Sequence, residues 1–155
     1  KESPRYFQPR TLDQVRRDYF TTLQELVATG LFDCLAHLDL YVRYGSRYFG
    51  PEINRIHEGI IESIFKEMAQ KGMGLEINTS SRRRGLEEFH PSKEIVALAA
   101  ESGITIFTVG SDAHKLEELG EYLDEAEAIL EEFNLTNHVF TKRQAIPCKP
   151  VISQK

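Results

Sequence analysis

Apolar positions along this chain follow two alternating rhythms, one helical and one extended. Val15, Tyr19, Leu23, Leu26 and Val27 recur at helical spacing and predict a helix over residues 12–28, with Gly30 as its C-terminal stop. The next run, Leu31-Phe32-Asp33-Cys34-Leu35-Ala36-His37, is short and mostly apolar, which predicts a buried strand. A loop carrying Gly45, Gly50 and Pro51 leads to a second predicted helix over 52–70. Its inner face is Ile53, Ile56, Ile60, Ile61, Ile64, Phe65 and Met68, and Gly72 ends it. Residues 74–79 alternate in polarity and predict a second strand. Ser92 is the N-cap of a third helix carrying Ile95, Val96, Leu98 and Ala99, which Gly103 closes. Residues 104–109 form the third predicted strand. A fourth helix follows over 116–133, with Leu119, Leu123, Ala126, Ile129 and Leu130 inward. Residues 138–141 predict a last short strand, and 145–150 an irregular tail. There is no internal repeat or low-complexity stretch.

Strands alternating with helices predict an α/β fold of parallel strands joined by right-handed crossover helices. In such folds, open or closed, the site lies at the carboxyl ends of the strands. His37 ends the first predicted strand, Glu76 and Asn78 sit late in the second, and Asp112 and His114 follow the third. All five are expected on one face.

Asp112 and His114 are two apart behind Gly110 and Ser111, so extended backbone directs a carboxylate and an imidazole to one side, where they can share a cation. The alternative is that Asp112 caps the fourth helix and His114 decorates its first turn. His37 is either a third ligand or a satisfied core histidine, and its strand-end position favours the ligand. Asp39 either orients an imidazole or, as the simpler reading has it, caps a turn. Glu76 and Asn78 alternate and point the same way, toward a substrate or into a polar network filling the strand end. Arg82, Arg83 and Arg84 stand just beyond. Guanidinium binds phosphate in a bidentate manner, so one or two of them are expected to enter the site and the rest to be solvated. His57, His90 and His138 read as bystanders in a helix, a loop and a late surface segment.

The bulk properties trim the possibilities. A chain of 155 residues supports one domain with a real core. Apolar residues at 41% and charged residues at 28% are those of a globular protein. The net charge of −5 argues against nonspecific nucleic-acid or membrane binding. No apolar run reaches the roughly 20 residues of a membrane span, and residues 1–9 lack a signal-peptide core. Cys34 and Cys148 form neither a disulfide framework nor a metal pair, so a reducing cytoplasm is the default compartment.

Three phrases occur in order: Ala36-His37-Leu38-Asp39-Leu40, Glu76-Ile77-Asn78-Thr79-Ser80 and Gly110-Ser111-Asp112-Ala113-His114. Together with Glu88-Phe89-His90-Pro91-Ser92 they resemble the histidinol-phosphatase branch of the PHP (polymerase and histidinol phosphatase) superfamily, over residues 19–141. The resemblance implies a distorted (β/α)7 TIM-like barrel holding up to three divalent ions of Zn, Mn or Fe at its carboxyl-end face. It makes His37, Asp112 and His114 metal ligands, the last two catalytic. Asn78, Arg83 and Glu76 fall to phosphate and substrate. The activity implied is hydrolysis of a small phosphomonoester by a metal-activated water. Ser81 departs from the family's usual Gly, and the opening H-x-H motif with the middle His and Glu ligands is absent. Residues 1–155 are therefore expected to be a single domain forming the C-terminal part of a PHP barrel. Alone, that part is expected to bind metal weakly, turn over little and associate through exposed edges. Two further readings are a PHP nucleic-acid phosphodiesterase, which the acidic charge disfavours, and a degenerate non-catalytic interaction module.

Overall fold

The computed structural model describes residues 3–148. A short helix α1 (Ser3–Phe7), absent from the sequence reading, precedes the long α2 (Leu12–Thr29). Thr11 accepts the Gln14 amide while the Gln14 side chain accepts the Thr11 amide, so two otherwise orphaned N–H groups are satisfied at once. Gly30 ends α2 at φ 63°, a conformation glycine adopts without a Cβ clash.

Strand β1 is only Cys34–Leu35, shorter than the expected 31–37. Leu31 and Phe32 are exposed instead. The expected loop that follows is largely helix α3 (Leu40–Phe49). The single helix expected over 52–70 is two pieces: a 3-10 helix over Gly50–Arg55, turns over 56–60, and then α4 (Ile61–Gln70). Ile53, Ile56, Ile61, Ile64, Phe65 and Met68 are all buried nonetheless. Three-residue spacing fits a 3-10 turn as well as an α-helix, so periodicity finds the inner face without fixing the backbone.

Strand β2 (Gly74–Asn78) runs into a 3-10 helix over Thr79–Arg84. Helix α5 (Lys93–Glu101) opens at Ser92, whose side chain accepts the Ile95 amide as expected. Strand β3 (Phe107–Gly110) starts later than predicted. The expected helix over 116–133 shrinks to a 3-10 turn at Leu116–Glu118 and α6 (Leu123–Glu132), with Leu119 exposed rather than inward. Strand β4 (His138–Thr141) pairs with β5 (Gln144–Pro147), so part of the expected irregular tail is a hairpin; residues 149 and 150 lie outside the described residues.

The main sheet has order β1-β2-β3, all parallel, with Leu35 opposite Leu75 and Asn78 opposite Gly110. Among the described residues it is an open three-stranded sheet. Central β2 buries Leu75 and Ile77 on one face, packed in one core with Phe20, Phe65 and Phe107. Each such side chain contributes about 2–3 kcal/mol by leaving water. Arg143 forks onto Asp33 at 2.9 and 3.0 Å, tying the hairpin turn to the start of β1. The guanidinium bonds hold the Asp33 carboxyl below its ordinary range. No helix among the described residues is long and apolar enough to cross a membrane.

Candidate functional site

Alternation along β2 places Glu76 and Asn78 on one side, as expected, and Asn78 Nδ2 donates to Glu76 Oε2 at 3.2 Å. The same oxygen accepts the His37 backbone N–H at 3.1 Å. Glu76 Oε1 occupies space left by the missing side chain of Gly110, where a Cβ would stand 2.6 Å away. One carboxylate thereby bonds the chain just past β1 to β2 and packs against the end of β3. Asn78 Oδ1 accepts the Ser80 N–H at 3.1 Å and starts the turn that carries the arginines.

His37 has left-handed backbone at φ 36°, rare for a residue with a Cβ. Its carbonyl accepts the Leu40 N–H at 3.1 Å, and the Tyr19 hydroxyl donates to the Leu38 carbonyl at 2.6 Å. Burial, reinforced by Asp39, pushes the Tyr19 phenol well above its ordinary range, so it remains a donor.

Beyond β3, Asp112 also has left-handed backbone, φ 50°. Its carbonyl accepts from Arg83 Nη2 at 3.1 Å and lies 2.8 Å from His114 Nδ1. A carbonyl only accepts, so Nδ1 carries the proton and the Nε2 lone pair of this 75% exposed ring is free to ligate. Glu118 accepts the His114 N–H at 2.9 Å. That bond, with Arg83 and Lys115 nearby, holds the Glu118 carboxyl below its ordinary range. Arg83 is 13% exposed and sits 3.7 Å from Glu118 and 3.6 Å from Glu121, with Nη1 buried and unpartnered. Arg82 turns instead to the Glu87 carbonyl and Glu125, and Arg84 is exposed. One arginine of the three therefore enters. Asp112 does not cap a helix, since α6 begins only at Leu123.

The five expected residues thus fall in two adjoining groups. His37, Glu76 and Asn78 share one network, while Asp112 and His114 share another with Arg83. The chemistry of His37, Asp112 and His114, imidazole with carboxylate, suits a borderline divalent cation. As a complete coordination sphere they do not suffice: among the described residues no three His, Cys, Asp or Glu side chains converge on one point.

Sequence reasoning missed a partnership. His90 is 2% exposed, and its Nδ1–H donates to Asp39 Oδ1 at 2.6 Å. Asp39 Oδ2 accepts the Ser92 N–H at 3.1 Å. The Asn78 N–H donates to the His90 carbonyl at 2.7 Å, and the His90 N–H to that of Asn78 at 3.0 Å. Asp39 therefore does orient an imidazole, and His90 is no bystander; the His90-Pro91-Ser92 phrase was its only signal. His57 lies in the turn over 56–60 rather than in a helix, and it lines a cavity of about 460 Å³ with Asp39 and His90. His138 sits half-buried in β4.

No protein-family profile matches the chain. It is 33% identical over 115 residues to a probable histidinol-phosphatase of Deinococcus radiodurans, covering 74% of this chain and 41% of that protein. A probable histidinol-phosphatase of Thermotoga maritima is 29% identical over 130 residues, covering 84% of this chain and 53% of that one. The chain thus spans about half the length of these curated relatives or less. Among solved structures, a histidinol phosphate phosphatase of Lactococcus lactis, complexed with Zn, L-histidinol and phosphate, superposes with TM-score 0.67 at 18% identity. That match covers 88% of this chain and 52% of the other, and it speaks to the fold.

Proposed function

Because the chain belongs to the histidinol-phosphatase-like family of the PHP superfamily, we propose that its strand ends form one wall of a metal-dependent phosphomonoesterase site, with L-histidinol phosphate as first candidate substrate. The observation carrying this reading is the Glu76 carboxylate bonding the chain just past β1 to β2 and packing against the end of β3, with Asp112 and His114 just past β3.

In this reading His37, Asp112 and His114 hold divalent cations, Zn first and Mn or Fe as alternatives, up to three in the whole site. Divalent cations supply Lewis-acid polarisation of a phosphoryl oxygen and a water acidic enough to attack phosphorus at neutral pH. Arg83, with Nη1 unpartnered, offers donors to the phosphoryl oxygens as negative charge builds on them. Asn78 has a second amide N–H for the substrate, and Glu76 Oε1 can accept from an ammonium or hydroxyl. The parallel sheet continues, on this proposal, into a distorted (β/α)7 barrel of which residues 1–155 form a single-domain part. Further ligands are needed beyond the three named, so the 155-residue chain alone turns over little.

The test is phosphate release by the product of the whole gene, supplied with Zn, Mn or Fe, on L-histidinol phosphate, other small monoesters and a single-stranded oligonucleotide. The monoester should be cleaved, and Asp112→Ala or chelation should lower the rate at least about 100-fold. Folded, metal-loaded protein that releases phosphate from no small ester would overturn the reading. The absence of three converging donors among the described residues favours one rival, a non-catalytic interaction module. Failure of the whole gene product to bind metal would support that rival.

A further inference from the structure

The hydrogen bonds behind the site close into a ring. The His37 N–H meets Glu76, Glu76 meets Asn78, and the Asn78 backbone pairs in both directions with His90. His90 Nδ1–H then reaches Asp39, which stands two residues after His37. Both side chains of this last link are almost fully buried, 2% exposed for His90 and 5% for Asp39. Asp39 occupies the N-cap position of α3, yet its side chain makes no capping bond to that helix. Both carboxylate oxygens are directed across to His90 and to the Ser92 N–H. Meanwhile the residue they back, His37, holds a sparsely populated left-handed backbone, which persists only where its surroundings over-determine it.

We propose that Asp39 and His90 are a positioning pair, which locks the His37 turn against β2 and so sets where the His37 imidazole stands relative to Asn78. The consequence for metal binding rests on the reading of His37 as a ligand. The positioning itself does not. A pair acting only on fold stability would loosen the whole protein when broken; a positioning pair loosens one turn.

The experiment uses the 155-residue chain, unsubstituted and as His90→Leu, which keeps comparable bulk without a donor, and His90→Asn, which restores an N–H toward Asp39. Two quantities are read: amide hydrogen exchange at His37 against Ile77 within β2, and zinc affinity by competition with a chelating dye. His90→Leu should speed His37 exchange by about 10-fold or more while Ile77 stays within about threefold. Zinc affinity should weaken by about 10- to 100-fold, the usual effect of losing a group that orients a ligand. His90→Asn should return both to within about threefold. Unchanged His37 exchange in folded His90→Leu, or uniform acceleration at both amides, overturns the proposal. If His90→Leu does not fold, Asp39→Ser, which keeps a hydroxyl at the turn but cannot span to both partners, is judged by the same criteria. Failure of both to fold assigns the pair to stability alone and overturns positioning. If the unsubstituted chain binds no zinc, the exchange measurement alone decides the role of the pair, and the proposed function is judged on the whole gene product.

Discussion

Adding one methyl group at Gly110 is expected to unfasten the strand ends. The Cβ of Gly110→Ala would fall 2.6 Å from Glu76 Oε1 and 3.5 Å from Glu76 Cδ, the first far inside the ordinary contact distance of about 3.5 Å. The backbone of Gly110 is held in register opposite Asn78, so the carboxylate must move. Turning it away separates Oε2 from the His37 N–H and from Asn78 Nδ2. A hydrogen bond to a charged group is worth about 1.5–3 kcal/mol net, so two make about 3–6 kcal/mol. Glu76 is half-buried and water replaces part of that, whereas Asn78 is buried and its donor is left without a partner. The net cost should be about 2–4 kcal/mol, or roughly 5–15 °C in Tm for a chain of this size. Urea unfolding of four proteins measures it: unsubstituted, Gly110→Ala, Glu76→Ala and the double variant. In the Glu76→Ala background the methyl group meets nothing and should cost under about 0.5–1 kcal/mol, a coupling of at least about 1 kcal/mol. Equal costs for Gly110→Ala in both backgrounds would refute the role given to the Glu76 carboxylate.

Arg83→Lys should cost about 1–3 kcal/mol in urea unfolding, because a point charge cannot hold the Asp112 carbonyl while facing Glu118 and Glu121 as the guanidinium does; a change within about 0.5 kcal/mol would contradict this. The Asp33–Arg143 fork gives a pH dependence of known sign. Arg143 lowers the Asp33 carboxyl below its ordinary 3.8, so the contribution is present above 3.8 and lost as pH falls through the lower folded-state value. The Tm of the unsubstituted protein should therefore exceed that of Arg143→Gln at neutral pH, with the gap closing as pH falls well below 3.8; a gap independent of pH would exclude the ion pair as its source.

Much of the fold was legible because burial imposes period. The inner faces of α2, α4 and α5 and the cap at Ser92 followed from spacing and local chemistry. Errors concentrated where tertiary contacts decide the backbone. Leu31 and Phe32 are apolar enough for a strand, yet among the described residues they stay exposed. Residues 38–49 carry an aromatic-rich pattern that reads as loop until Tyr41 packs against Tyr19 and Phe20.

The site divides along the same line. The sequence by itself determined which residues reach the strand ends, since alternation and crossover handedness send Glu76, Asn78, His37, Asp112 and His114 to one edge of a parallel sheet. It also led to the expectation that one or two of the three arginines enter, with the family resemblance pointing to Arg83. Only the tertiary structure decided how these groups are wired, because hydrogen bonds across 39 or 51 residues of chain leave no local periodicity. The pairing of Asp39 with His90 needs β1 and β2 already side by side, and the space that Gly110 leaves for Glu76 exists only once β3 is in register. Spacing along a chain encodes direction; partnership across strands depends on register, which the packed core alone fixes.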